Sequence, residues 1–148
     1  MYVLIGIIIL LISLLASEYY QCSRTLYFAY GANTNQAYFK NRVPRAKFRG
    51  PAYLENHAFK WYGHADVVAE EGSLVVGVLW EIPNDDFFML DLYETNYTRE
   101  TVTVVGKRSL KAEIYAMQIK EEVKPTEEYK TLVYAGYVEN GLDTRQLN

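Results

Sequence analysis

Hydrophobic residues along this chain fall into two kinds of segment. Residues 1–16 are almost wholly apolar, with Ser13 as the exception. From about residue 25 onward, short apolar runs alternate with polar turns, which is typical of a folded globular domain. The sequence therefore predicts a hydrophobic N-terminal helix over residues 1–20, followed by one domain over residues 25–148.

Apolar and β-branched runs in the second part predict the strands of a mixed sheet. They lie at residues 25–29, 52–60, 65–68 and 74–82, with a turn at 70–73 and a hairpin of 101–105 and 110–119. The run at 74–82 is rich in Leu and Val and contains a Trp, which favours a central strand that is buried on both faces.

Three helices are predicted from their capping residues. Asn33 is a good N-cap, and residues 34–42 then form the first helix. Pro83 is tolerated in the first turn of a second helix, whose early acidic residues suit the helix dipole. Thr126 caps a third helix that ends at Gly141. Mixed strands with a few helices indicate an α+β domain.

The segment around Gly31 predicts an anion-binding turn. A short apolar strand leads into this glycine, which can adopt backbone angles closed to other residues, and a helix begins just beyond it. The helix start leaves backbone N–H groups aimed at one point, where a carboxylate, a phosphate or an oxyanion can bind. The alternative is a purely structural joint, because many such turns bind nothing.

Composition and charge narrow the classes of function. A chain of 148 residues has room for one domain, and a net charge of -3 gives no general affinity for nucleic acid. Basic residues cluster over residues 40–49, where a solvated face is favoured over a site for anionic lipid or phosphate. Cys22 is a single cysteine, and His57 and His64 have no cysteine partners, so we expect neither an intrachain disulfide nor a metal site.

The apolar run of residues 1–16 favours an uncleaved membrane anchor over a cleaved signal or a buried helix. As a helix it would extend about 24 Å, somewhat less than a bilayer core of about 30 Å. No basic residue precedes it, and residues 13–17 are a poor cleavage site. Tyr19 and Tyr20 suit a membrane interface, and the positive charges that follow favour a cytoplasmic folded domain. The sequence thus predicts a membrane-anchored protein.

Four segments resemble the gamma-glutamylcyclotransferase-like family. The segment Tyr-Phe-Ala-Tyr-Gly-Ala-Asn at residues 27–33 resembles the family's N-terminal signature, Y-F-A-Y-G-S-N. Residues 76–82 resemble its central strand, residues 90–94 the helix end that carries its catalytic glutamate, and residues 125–142 its C-terminal helix. The resemblance implies a small, mixed, twisted β-barrel with peripheral helices, preceded here by the N-terminal hydrophobic helix.

The resemblance also implies an enzyme that converts a gamma-glutamyl amide to 5-oxoproline and a free amine, without a cofactor. Glu94 matches the family's acid–base residue, and its place at a helix end among aromatic side chains is expected to raise its pKa. N–H groups of the turn would hold the α-carboxylate or the oxyanion, and two tyrosines would close the pocket. The implied substrate-binding residues are Tyr27, Phe28, Ala29, Tyr30, Gly31, Ala32, Asn33, Tyr97 and Tyr129.

Two departures from the family pattern bear on substrate preference. Ala32 replaces the usual serine, and Thr95 replaces the glycine that usually follows the glutamate. The short spacing from Glu94 to Tyr97, together with Arg99, resembles the smaller bacterial and plant-type branch. The alternative functions are a non-catalytic module that binds a small ligand or a protein, and an amidase or acyltransferase that does not cyclise its substrate. The sequence does not identify the amine or the oligomeric state.

Overall fold

The computed structural model describes the backbone of residues 2–148 and, in the first helix, the side chains of residues 3–16. The helices are α1 (Tyr2–Cys22), α2 (Gln36–Arg42), α3 (Phe87–Tyr93) and α4 (Glu127–Glu139), with 3-10 turns at Ala32–Thr34, Asn84–Asp86 and Thr144–Leu147. The strands are β1 (Arg24–Ala29), β2 (Lys47–Tyr62), β3 (His64–Pro83), β4 (Tyr97–Val105) and β5 (Ser109–Met117).

These five strands close into a barrel in the order β1-β3-β2-β4-β5. The first strand pairs antiparallel with β3 and parallel with β5, where Tyr27 faces Glu113. Two antiparallel hairpins, β2–β3 and β4–β5, make up the rest, and they meet where Tyr53 pairs with Val105. Side chains that point inward, such as Phe28 and Leu54, are therefore buried by the whole sheet, while Trp80 is fully buried on the outer face between the sheet and helices α2 and α3. The α+β barrel expected from the sequence is present.

The third strand is one continuous element, and the prediction of two strands separated by a turn at residues 70–73 is wrong. The register of the β2–β3 ladder shifts at Asn56, which lies opposite this segment. Asn56 Oδ1 accepts a hydrogen bond of 3.0 Å from the backbone N–H of Gly72. Gly72 has a φ of 78°, which glycine adopts without strain. The turn residues thus form a bulge inside the hairpin.

The first predicted helix begins later than expected, because a separate 3-10 turn at Ala32–Thr34 precedes it. Asn35, and not Asn33, is the N-cap of α2, since Asn35 Oδ1 accepts a hydrogen bond of 3.0 Å from the N–H of Tyr38. Asn33 is released from capping and is buried. The caps predicted for the last helix are confirmed at Thr126 and Gly141.

The prediction of a membrane anchor over residues 1–16 is wrong. Among the residues that the structure describes, no helix is long and apolar enough to cross a membrane. The membrane-anchored localisation is corrected with it. Tyr19, Tyr20 and Cys22, which carried further expectations, lie outside the described side chains.

The last helix packs directly on the 3-10 turn that follows β1. A Cβ atom at Gly136 would lie 2.3 Å from Thr34 Oγ1 and 2.6 Å from the backbone N of Asn35. At the next residue of α4, the hydroxyl of Tyr137 donates a hydrogen bond of 2.6 Å to the carbonyl of Tyr30. The missing side chain at Gly136 therefore lets α4 fix the turn against the end of the barrel.

We expect Gly136→Ala to lower the free energy of unfolding by about 1–3 kcal/mol, the usual cost of overpacking. This loss outweighs the gain of about 1 kcal/mol that alanine brings to a helix. Chemical denaturation of both chains measures the difference. Gly6→Ala is the matched control, because a Cβ at this helical glycine would contact nothing within 4 Å. An unchanged midpoint for Gly136→Ala would show that α4 can move off the turn without cost.

Candidate active site

A cavity of about 190 Å³ opens where the turn after β1 meets the end of α3 and the starts of β4 and α4. Tyrosine is the commonest residue in its wall, and Glu94 is the only carboxylate among the residues that line it in the described chain. The cavity is thus a small aromatic chamber with one acidic group, a shape that suits a small polar ligand.

The carboxyl group of Glu94 is mostly buried, with 14% of its side chain exposed. Glu94 ends α3, and its backbone N–H donates a hydrogen bond of 3.0 Å to the carbonyl of Leu90. Burial raises the pKa of Glu94, while the hydrogen bond from Asn33 and the positive charges of Arg42 and His64 lower it, and burial has the larger effect. The direction is the one the sequence predicted.

The carboxamide of Asn33 holds Glu94 in place. Its Nδ2 donates hydrogen bonds of 3.0 Å to Glu94 Oε1 and of 2.9 Å to the hydroxyl of Tyr27. Its backbone carbonyl accepts a hydrogen bond of 2.9 Å from the indole of Trp80 on β3, which is buried beneath α2 and α3. Its Oδ1 is buried and has no hydrogen-bond partner among the described residues. This amide is therefore oriented by the barrel and is well placed to orient the carboxylate.

Two tyrosine hydroxyls hold the same backbone residue, Ala65, at the start of β3. Tyr97 donates a hydrogen bond of 2.8 Å to the Ala65 carbonyl, and the Ala65 N–H donates one of 3.3 Å to the Tyr129 hydroxyl. Burial raises the pKa of Tyr129 to about 12 and raises that of Tyr97 further, so both phenols stay protonated near neutrality. Because Tyr129 accepts in this contact, its own O–H is still a donor.

Gly31 is required by close packing and not by an unusual backbone angle. Its φ of -114° is open to other residues, so the special conformation expected from the sequence is absent. A Cβ at this position would instead lie 2.8 Å from the Cβ of Ala65 and 3.2 Å from the hydroxyl of Tyr129. The turn can therefore lie against both groups only if residue 31 lacks a side chain.

The structure brings most of the predicted site residues to this cavity, but not all of them. Phe28 points into the barrel interior and Ala29 packs on the opposite face of β1, so both are buried away from the cavity. Those that line it are Tyr27, Tyr30, Gly31, Ala32, Asn33, Glu94, Tyr97 and Tyr129. Their predicted roles stay predictions, because the geometry locates the side chains and does not show what they bind.

Arg42 lines the cavity, whereas the sequence favoured a solvated face for the basic cluster that contains it. Its Nη1 lies 3.5 Å from Glu94 Oε1, and its guanidinium carbon lies 4.4 Å from the ring centre of Tyr38 and 4.9 Å from that of Tyr93. The available signal was the spacing of four residues between Tyr38 and Arg42, which places both on one face of α2. Contact with Tyr93 and Glu94 depends on how α2 and α3 meet, which no local pattern reveals.

Comparisons with known proteins identify the relatives of this barrel. Residues 27–135 match the model of the family described as "Gamma-glutamyl cyclotransferase, AIG2-like". A Bos taurus protein named gamma-glutamylcyclotransferase is 30% identical, over 79% of this chain and 72% of its own. A solved structure named gamma-glutamyl cyclotransferase is 25% identical, with a TM-score of 0.77 over 84% of this chain and 85% of its own. An uncharacterized Homo sapiens protein is 27% identical, with the same TM-score and coverage.

We expect Glu94→Gln to stabilise the fold at neutral pH. The folded chain holds the Glu94 proton more tightly than the unfolded chain, so the native protein loses stability as pH rises from the unfolded pKa through the folded pKa. Below this window both side chains are neutral, and the two proteins should unfold at similar temperatures. Above it the variant should have the higher midpoint.

Thermal denaturation at about pH 4 and about pH 7.5 measures the effect. Glu100→Gln, which changes an exposed glutamate on β4, is the control and should follow the native chain at both pH values. A variant midpoint that lies below the native one at the higher pH would contradict a carboxyl group whose ionised form is disfavoured by the fold.

Proposed function

The chain belongs to the gamma-glutamyl cyclotransferase, AIG2-like family, and from this premise we propose that it cleaves a gamma-glutamyl amide by intramolecular attack. It is an enzyme of the gamma-glutamylcyclotransferase type, and the proposal concerns its chemical steps. The observation that carries it is Glu94, a mostly buried carboxyl group with a raised pKa in the wall of the cavity. Such a group can both accept and return a proton near neutrality.

In the proposed reaction, Glu94 takes a proton from the α-ammonium group of the substrate. The freed amine attacks the γ-carbonyl carbon, a C–N bond forms and a five-membered ring closes. The bond from that carbon to the leaving nitrogen then breaks as Glu94 returns its proton to this nitrogen. The second proton lost by the attacking nitrogen also goes to the departing amine. The products are 5-oxoproline and the protonated amine.

Positioning accounts for much of the expected rate, since nucleophile and carbonyl lie on the same molecule. Holding the glutamyl chain in its ring-closing shape can contribute about 7 kcal/mol or more. The narrow aromatic cavity supports this role. For the oxyanion, we propose the N–H groups of the turn at residues 30–33 and the O–H of Tyr129 as donors. The close approach of Gly31 to the Tyr129 hydroxyl supports a shared site.

The buried carboxyl group favours an enzyme over a non-catalytic binding module on the same fold. Ionising Glu94 in this cavity works against folding, as the raised pKa indicates. A binding module gains nothing from such a group, whereas a general base near neutrality requires it. Nothing in the cavity specifically supports an amidase or acyltransferase that leaves its substrate open.

We expect Glu94→Gln to lower turnover by about 100-fold or more, the usual scale for a lost general base. The variant keeps the shape of the side chain and loses the proton acceptor. Incubation of the full chain with a panel of gamma-glutamyl amides, followed by mass detection of 5-oxoproline, measures turnover. Glu100→Gln again serves as the control. Near-native turnover by a folded Glu94→Gln protein would remove Glu94 from the mechanism.

Substitutions in the turn should separate a steric effect from a chemical one. Gly31→Val should abolish substrate binding, because its side chain would collide with Ala65 and Tyr129. Ala32→Ser restores the residue usual in the family and should keep or raise activity. Thermal denaturation first verifies that both variants fold. Turnover is then measured as release of 5-oxoproline, and affinity for 5-oxoproline is measured by calorimetry. Unchanged affinity in a folded Gly31→Val protein would place the substrate elsewhere.

A further inference from the structure

Arg42 occupies a position in the cavity that the proposed chemistry has not yet used. Its side chain is 26% exposed, so it borders the cavity without being sealed from it. The rings of Tyr38 and Tyr93 lie against its guanidinium group and fix its direction. A guanidinium held by two aromatic faces keeps its N–H donors free at the edges of its plane, where a carboxylate can bind.

The charges of Arg42 and Glu94 complement the head of an α-amino acid. The two groups are neighbours, with Arg42 Nη1 3.5 Å from Glu94 Oε1. In a gamma-glutamyl substrate, the α-ammonium and α-carboxylate groups are bonded to one carbon and are also neighbours. An ammonium group at Glu94 therefore brings the carboxylate within reach of Arg42, because both pairs of charges have similar spacing.

We propose that Arg42 binds the α-carboxylate of the gamma-glutamyl group while Glu94 takes the proton from its α-ammonium. This inference rests on the proposed function and makes it more specific. The sequence left the backbone N–H groups of the turn with two possible ligands, the α-carboxylate and the oxyanion. With the carboxylate at Arg42, the turn serves the oxyanion. The substrate class is then restricted to amides of a glutamyl group whose α-amino and α-carboxyl groups are both free.

An electrostatic role is the competing explanation, because the positive charge of Arg42 also lowers the pKa of Glu94. The two roles make different predictions for a substrate without an α-carboxylate. If Arg42 binds that carboxylate, substitution of Arg42 weakens the binding of only those substrates that carry an α-carboxylate. If Arg42 acts through Glu94 alone, its removal slows every substrate alike and moves the acid limb of the pH profile to higher pH.

The test compares Arg42→Met with the native full chain on two matched amides of the same amine. One is the gamma-glutamyl amide, and the other is the 4-aminobutanoyl amide, which has the same nucleophile and scissile bond but no α-carboxylate. We expect Arg42→Met to lower kcat/KM about 10- to 100-fold on the first amide, mainly through KM, and to lower it much less on the second, where Arg42 acts only on Glu94. Arg42→Lys, which keeps the charge without the planar fork, should recover part of the loss.

Product binding provides a readout that does not require turnover. Native protein should bind 5-oxoproline more tightly than 2-pyrrolidinone, which lacks the carboxylate, and Arg42→Met should lose most of this preference. Arg108→Met removes the same charge from an exposed position in the β4–β5 hairpin, and this variant should keep the preference for 5-oxoproline. If folded Arg42→Met still prefers 5-oxoproline, or loses activity equally on both amides, the carboxylate-binding role of Arg42 is overturned. The proposed function would be unaffected by that result. Failure of the native chain to convert any gamma-glutamyl amide would overturn the proposed function and this inference together.

Discussion

The hydrogen bonds of Asn33 connect the barrel to the candidate base, and the geometry of the site depends on them. Through its backbone carbonyl this residue is held by the indole of Trp80, which is fully buried between the barrel and helices α2 and α3. Through its amide nitrogen it holds Glu94 and Tyr27. The carboxylate is therefore held, through Asn33, to a fully buried residue of β3, although Glu94 itself lies at the end of a short helix. Such indirect support is what a precisely placed side chain requires.

The same connection also sets the balance of charge in the cavity. Burial disfavours the ionised form of Glu94, and the amide of Asn33 and the cation of Arg42 partly offset this effect. A fully buried carboxyl group without these partners would hold its proton too tightly to act as a base. A fully paired one would hold it too weakly to act as an acid. In this cavity burial has the larger effect, so the net result is a raised pKa for Glu94.

Features encoded locally were predictable from the sequence, and those that depend on distant contacts were not. The strands of the barrel and the caps at Thr126 and Gly141 follow from local patterns, and the raised pKa of Glu94 from its setting among aromatic residues. The choice between Asn33 and Asn35 as N-cap was not local, because the indole of Trp80 and the carboxyl of Glu94 compete for Asn33. The contacts of Arg42 depend in the same way on how two helices meet. The membrane anchor predicted from the apolar run of residues 1–16 and its flanking residues is wrong, because no helix among the described residues is long and apolar enough to cross a membrane.

The short pairing of β2 with β4 affects where the barrel can open locally. In the described chain the pairing of β1 with β5 is confined to Tyr27 and Glu113, and that of β2 with β4 to Tyr53 and Val105, whereas the other ladders are long. The β2–β4 seam lies at the far end of β4, about 26 Å along the strand from Tyr97 in the cavity. Local opening begins where backbone pairing is sparse. Tyr27 lies in the cavity wall, so the barrel has one short seam beside the candidate base and a second at the end of β4 far from it, and local opening of the sheet is expected at both.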